Sequence, residues 1–266
     1  MQNNSNTDSI CEKQSWISYI LHLADTTLIL AQRNSEWCAH GPILEQDIAI
    51  TNISLDLLGQ SRNFYQHAAS LLNAQDDIKH VTEDSLAYLR TEREFKNLLI
   101  TELTNGDWAQ SVLRQFFLSV YQSLLYDELQ KSTDKQLAAI AEKSLKEITY
   151  HVKWSSEWVI RLGDGTAESN SRLKKALNTL WEYTGELFIP SDYEVECTRA
   201  GIAPELASLQ EKWMQAIGDV LTEATLSIPV NGYMHTGGKN GIHTEHLGYI
   251  LSEMQSLQRT YPGAEW

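Results

Sequence analysis

Apolar residues recur every three or four positions along most of the chain, which is the spacing that places them on one face of an α-helix. Four long stretches show this pattern, at about residues 15–36, 45–73, 108–130 and 135–162. Asp134 precedes the fourth stretch as a plausible helix N-cap. No segment of useful length alternates as a β-strand does, so we predict an all-α protein.

The connections between these helices suggest how they are arranged. Short turns join the first helix to the second and the third to the fourth, whereas about 30 residues, with a shorter helical stretch at about 82–99, join the two pairs. Two antiparallel hairpins with a long crossover form the ferritin-like arrangement. We therefore predict a ferritin-like four-helix bundle.

Further helical stretches follow the bundle, at about residues 171–188, 204–226 and 243–260. The first residues are polar and rich in Asn and Ser. We predict a disordered tail over 1–14 and a single domain over 15–266, with the core bundle at about 15–162 and additional C-terminal helices at about 163–266.

The second long helix has two apolar stripes rather than one. A helix that is apolar on two sides is usually surrounded by others, so we predict a central position for it. One stripe consists of Ile50, Ile53, Leu57, Phe64, Ala68 and Leu71, and the other of Ile48, Leu55, Leu58, Tyr65 and Leu72.

The charge balance restricts the partners. The chain has 35 acidic and 21 basic residues, a formal charge of −14, and such a surface repels nucleic acid and anionic lipid. No run of 18 apolar residues and no secretory signal is present, and the three cysteines form no CxxC pair. We predict a cytoplasmic protein that binds neither nucleic acid nor membrane.

A ferritin-like bundle can hold two iron ions, for which it supplies a Glu from each of two helices and Glu-x-x-His from each of the other two. None of the eight histidines has a glutamate three residues before it. The one Asp-x-x-His, Asp77 to His80, lies between helices. The sequence therefore predicts that this chain binds no metal by the usual ligand set.

Remnants of a ligand set are still visible. Glu147 and His151 lie four residues apart on the fourth long helix and can share a face, and Asp25, Asn52 and Asp56 are further inward candidates. One interpretation is a surviving metal site. The other, which we favour because the ligand set is incomplete, is a vestigial site that forms a buried polar network. Where a carboxylate would be needed, the third long helix has only Ser119, Tyr121 and Gln122.

A glycine-rich segment, residues 236–246, precedes the last helix. Its backbone and Lys239 could hold an anion such as a phosphate, and His243 and His246 could be metal ligands. The alternative is a flexible connection followed by a helix cap. We favour a loop that contacts a partner or ligand through Lys239, His243, Glu245 and His246.

Several long motifs resemble the family of C subunits of phenylacetyl-CoA epoxidases, and the resemblance spans nearly the whole chain beyond the first dozen residues. The motifs are residues 30–38 (LAQRNSEWC), 55–64 (LDLLGQSRNF), 146–151 (KEITYH), 236–239 (TGGK) with 242–248 (IHTEHLG), and the ending at 258–266.

The resemblance implies a ferritin-like structural subunit. In that family the complex epoxidises the ring of phenylacetyl-CoA with oxygen and with electrons from NADPH that a reductase subunit delivers. The di-iron centre belongs to the catalytic A subunit, with which the C subunit pairs. The resemblance thus implies a non-catalytic partner in aerobic phenylacetate catabolism that binds no cofactor itself, and it makes the acyl-CoA one ligand that loop 236–246 could contact.

An alternative stays open, a catalytic di-iron oxygenase with an irregular ligand set of Asp25, Asp56, Glu147 and His151. When isolated, the chain could also form a homodimer through the face meant for its partner, because exposed apolar surface tends to be covered.

Overall fold

The computed structural model describes residues 3–74, 80–230 and 232–264, with side chains from residue 13 onward. This part of the chain contains ten α-helices and no strand, which confirms the all-α prediction. The helices are α1 (Asn3–Ser35), α2 (Leu44–Asn73), α3 (Glu83–Tyr88), α4 (Leu99–Glu102), α5 (Trp108–Leu129), α6 (Lys135–Gly163), α7 (Ala167–Trp181), α8 (Asp192–Arg199), α9 (Leu206–Glu223) and α10 (Glu245–Thr260).

The four long helices form the ferritin-like bundle. α1 packs along α2 and α5 packs along α6, while α2 and α6 meet to join the two hairpins. Side-chain caps fix where the second hairpin begins and turns. Asp107 accepts a hydrogen bond from the amide of Gln110, and Asp134 accepts from the amides of Gln136 and Leu137. The predicted N-cap at Asp134 is therefore confirmed.

The C-terminal helices pack on the outside of the bundle and on the crossover. α7 and α9 pack against α5 and α6, α8 packs against α1, and α10 packs against α3, α4 and the turn at Glu92–Glu94 in the crossover. An aromatic cluster joins α9 to the bundle, with the Trp213 ring centred 5.5 Å from that of Phe117 and 5.4 Å from that of Phe188. The extension therefore shares one core with the bundle.

The helices differ in three places from those that the sequence pattern predicts. α1 begins at Asn3, whereas the pattern predicts the start of the first helix at about residue 15. The crossover has two short helices instead of one, because residues 95–98 are extended. The sequence pattern does not predict α8 at all.

The prediction that α2 is central is wrong. The first stripe is buried except for the half-buried Leu71, but the second is covered only from Leu58 onward, and Leu44, Ile48 and Leu55 on the outer side are 72%, 52% and 59% exposed. Among the described residues, the C-terminal helices pack mainly on the other long helices and the crossover, and the six-residue α3 packs on α2. We call this surface of Ile43, Leu44, Ile48 and Leu55 the α2 face. Among the described residues, no helix combines the length and apolar character that crossing a bilayer requires.

Candidate functional site

Two polar pairs join α2 to α6 along the seam where these helices meet. Nε2 of His151 lies 3.0 Å from Oδ2 of Asp56, and Nε2 of Gln60 donates to Oε2 of Glu147 at 2.9 Å. His151 is fully buried, whereas the Asp56 side chain is 37% exposed. The helical spacing of four residues on each side aligns the two pairs. The structure thus brings together three of the predicted positions, each of which has a partner.

Asp25 lies elsewhere, in a buried ion pair between α1 and the crossover. Its carboxylate accepts hydrogen bonds from Tyr65 Oη at 2.5 Å, from the Lys96 amide at 2.8 Å and from both terminal nitrogens of Arg90, one of them at 3.1 Å. Burial lowers the pKa of Arg90, but the charge and hydrogen bonds of Asp25, together with Tyr65 and Glu94, outweigh burial and hold the pKa above its ordinary value. The cation beside Asp25 is therefore the guanidinium of Arg90, in the position that a metal ion would have to occupy if Asp25 were a ligand.

Neutral side chains of α1 and α5 form a further buried hydrogen-bonded chain. Asn34 of α1 donates to Gln115 of α5 at 2.6 Å, and Gln115 donates to Ser119 at 2.8 Å. Asn52 is exposed, because it lies on the side of α2 that faces away from the core. The prediction that it points inward is therefore wrong.

The residues do not fit a metal centre. Among the described residues, no three His, Cys, Asp or Glu side chains come together as a metal ion would require. Asp77 of the Asp-x-x-His sequence lies outside the described residues. The geometry at Asp25, Asp56, Glu147 and His151 is that of hydrogen-bonded pairs that join helices.

The glycine-rich loop is folded into the protein. Lys239 is 3% exposed, and its ammonium donates to both carboxylate oxygens of Glu194, at 3.0 and 3.1 Å, and to the carbonyl of Ile189 at 3.0 Å. Lys239 and His22 lower the pKa of Glu194 despite its burial. The expectation that Lys239 contacts an anion at the surface is therefore wrong, because its charge is neutralised inside the protein.

A second buried glutamate holds the start of this loop. Glu186 accepts hydrogen bonds from the amides of Gly237 and Gly238, each at 2.8 Å, and of Leu99 at 2.7 Å. A Cβ on Gly238 would lie 2.2 Å from the carbonyl oxygen of Asn97. The glycine is therefore required by the close approach of two backbone segments.

A third buried glutamate fixes the end of the loop. Glu102 accepts from Nδ1 of His243 at 2.8 Å and from the Thr244 amide at 2.6 Å, while Nε2 of His243 lies 3.0 Å from the Phe95 carbonyl oxygen. Both ring nitrogens thus face acceptors, which the doubly protonated ring satisfies. Burial lowers the pKa of His243, but the Glu102 hydrogen bond and charge outweigh it, so that the net shift is upward. We call Glu102, Glu186, Glu194, Lys239 and His243 the loop clasp.

Because the pKa of His243 is raised, its contribution to the free energy of unfolding depends on pH. A group with a raised folded pKa contributes fully below its unfolded pKa, about 6.5, and loses that contribution as the pH rises through the folded value. His243→Gln should therefore destabilise the protein by roughly 1.5–3 kcal/mol at pH 6 and by progressively less at higher pH. Urea unfolding between pH 6 and 9 measures the difference in the free energy of unfolding between wild type and variant, with His246→Gln as the control. If that difference does not change with pH, His243 does not titrate against Glu102.

The remaining loop residues lie nearer the surface. Glu245 is exposed and His246 is half-buried, while Thr244 caps α10 by accepting from the His246 amide at 3.3 Å. His243 and His246 therefore do not form a metal-ligand pair. Sequence reasoning missed the glutamates of the clasp. For Glu194 a signal existed, because Ser191 and Glu194 have the Ser-x-x-Glu spacing of a capping box.

The fold and these buried networks define a class: a ferritin-like helical protein in which the candidate ligand positions are paired with other side chains of the same chain. The model of a family described as "Phenylacetic acid catabolic protein" matches residues 1–266. The chain is also 45% identical, over 249 residues, to the C subunit of the 1,2-phenylacetyl-CoA epoxidase of Escherichia coli (strain K12), covering 94% of this chain and 98% of the relative. The chain therefore belongs to the phenylacetic acid catabolic protein family, and the resemblance seen in its motifs is confirmed.

Proposed function

We propose that this chain is a non-catalytic structural subunit of a phenylacetyl-CoA epoxidase complex and that it pairs with the di-iron catalytic A subunit. The similarity to the C subunit of such an epoxidase, along almost the whole of both chains, supports the complex. Under this proposal the iron, the oxygen chemistry and the NADPH-derived electrons belong to other subunits.

The observation that carries the non-catalytic role is that the candidate ligands are already bound to protein partners. Asp25 accepts four hydrogen bonds, three of them from the side chains of Arg90 and Tyr65. Asp56 and His151 face each other, and Glu147 accepts from Gln60. To bind iron, each of these groups would have to leave a partner, and for Asp25 a buried cation would be left unpaired.

The α2 face is the surface that we assign to the catalytic partner. Among the described residues, the C-terminal helices pack mainly on α1, α5, α6 and the crossover rather than on α2. Leu44, Ile48 and Leu55 are spaced by four and then seven residues, which places them on one side of α2. A row of exposed apolar side chains on a helix marks a protein contact. The partly exposed Asp56–His151 pair borders this face and adds a polar rim. The same face would support self-association of the isolated chain.

The alternative is a catalytic oxygenase with the irregular ligands Asp25, Asp56, Glu147 and His151, of which Asp56 and His151 contact each other and Glu147 lies in the neighbouring pair of the α2–α6 seam. Reconstitution separates the two functions. The purified chain and the catalytic subunit are each prepared alone and together, and bound iron and oxygen-dependent turnover of phenylacetyl-CoA are measured. We expect no turnover from this chain alone and activity from the pair. Stoichiometric iron with turnover by this chain alone would contradict the proposal.

A further inference from the structure

A groove runs along α10 on the part of the molecule that carries the crossover. It has a volume of about 540 Å³ and lies between residues 91–93 and the side of α10 that faces them. A second cavity of about 220 Å³ lies between residues 82–89, which include α3, and residues 258–264 at the end of α10. We call the two together the α10 groove. None of the buried networks described above fills it.

The wall and floor of this groove are fixed. The crossover is tied to the bundle by Asp25–Arg90 and to the loop clasp by Glu102. On the floor, Gln255 is buried and its amide donates to the carbonyls of Ala87 and Arg90, at 3.2 and 3.0 Å. The groove thus lies between the crossover and α10, which are held together by hydrogen bonds.

Two arginines line the groove, Arg93 from the crossover and Arg259 from α10. Neither belongs to an ion pair within the described part of the chain, and one terminal nitrogen of Arg259 donates to the Arg90 carbonyl at 3.0 Å. Two acids lie nearby. The hydrogen bonds from Thr91 and the charges of Arg90 and Arg259 lower the pKa of Glu94, and the Glu92 carboxylate lines the groove next to Gly248 of α10. Two guanidinium groups against one lining carboxylate leave the groove with a net positive charge, which favours an anionic occupant.

The two cavities differ in their lining. The larger one is lined mostly by polar side chains, whereas the smaller one has the apolar side chains of Tyr88, Leu89 and Pro262, with Leu89 58% exposed. Small-molecule sites enclose most of their ligand in a predominantly apolar lining, whereas the larger cavity is polar and open. Exposed arginine beside tyrosine and leucine is typical of a protein contact.

We propose that the α10 groove docks an acidic, partly apolar segment of another subunit of the complex, with carboxylates paired to Arg93 and Arg259. This rests on the proposed function, because it assumes that the chain works within an assembly. The groove involves α10 and the crossover and not α2, so the chain would hold two partners on separate surfaces, and the assembly would depend on it as a bridge.

The test is the composition of the assembly formed when the chain is expressed together with all other subunits of its epoxidase. Native mass spectrometry is used for the wild type, for Arg93→Glu/Arg259→Glu and for a control with the same charge change, Lys174→Glu/Lys175→Glu, at exposed positions on α7. We expect the groove variant to bind one subunit about 100-fold more weakly while it keeps the α2-bound partner, and the control to assemble normally. Circular dichroism confirms that each variant is folded.

The remaining outcomes are distinct. An unchanged composition in the groove variant would overturn this inference and leave the proposed function standing, whereas a wild type that binds no subunit would contradict the proposed function itself. Restoration of binding by an Asp- or Glu-to-Lys change in the partner would identify the paired carboxylate. Binding of CoA or inorganic pyrophosphate to the isolated chain, lost in the groove variant, would instead show a small-anion site and overturn the docking proposal.

Discussion

Ile48→Asp/Leu55→Asp will abolish co-purification of the chain with its catalytic partner and leave the chain folded. Both side chains are about half exposed in the free chain, so burying the rest contributes roughly 1 kcal/mol each. A carboxylate at each position also has to be desolvated in the contact. The loss is therefore several kcal/mol, which corresponds to an affinity roughly 100-fold lower or more.

The control for this experiment introduces the same charges elsewhere. Val195→Asp/Val230→Asp replaces two exposed apolar residues, 43% and 90% accessible, outside the α2 face. It should copurify as the wild type does. If the control and the α2 variant bind the partner equally well, the α2 face is not the contact surface. If the isolated wild type and control self-associate but the isolated α2 variant is monomeric, the α2 face also supports self-association.

Asp25→Ala should be the most destabilising single substitution among the predicted site residues. It leaves Arg90 buried without its counter-ion, and breaking a buried pair from one side costs about 3–5 kcal/mol. It also removes the acceptor for Tyr65 Oη and the Lys96 amide. Equilibrium urea unfolding measures the difference in the free energy of unfolding.

Two comparisons separate the charge from the hydrogen bonds. Asp25→Asn keeps an acceptor oxygen but removes the charge, so its cost should fall between those of the wild type and the alanine variant. Glu168→Ala removes the partner of Arg172 in an exposed pair on α7 and should leave the free energy of unfolding almost unchanged, because solvent screens such a pair. A cost for Asp25→Ala below about 1 kcal/mol would show that Arg90 does not depend on Asp25.

The bundle could be predicted because its signals are local. The apolar period, the cap at Asp134 and the lengths of the connections are all properties of consecutive residues, and they establish four long helices in two hairpins. The status of α2 could not be predicted, since its second stripe has the same pattern whether a helix of the chain or another subunit covers it.

The glycine-rich loop shows the opposite limit. A glycine-rich segment with a lysine is typical of both anion-binding and structural loops, and what decides here is Glu194, which pairs with Lys239 from 45 residues away in the sequence. Likewise, Asp25 and Arg90 are 65 residues apart, and no spacing rule connects them. Buried pairs of this kind depend on tertiary packing, so only the structure could identify them.

We propose that this chain supports a di-iron partner and does not bind the metal through its own α2–α6 seam. The most direct test is the iron content and turnover of the reconstituted complex with wild-type chain and with Asp56→Asn/Glu147→Gln, two near-isosteric changes at partly exposed positions. We expect the variant complex to contain as much iron, and to turn over phenylacetyl-CoA as fast, as the wild-type complex. If the variant complex still assembles but loses both iron and turnover, the seam of this chain binds the metal and the proposed role is wrong.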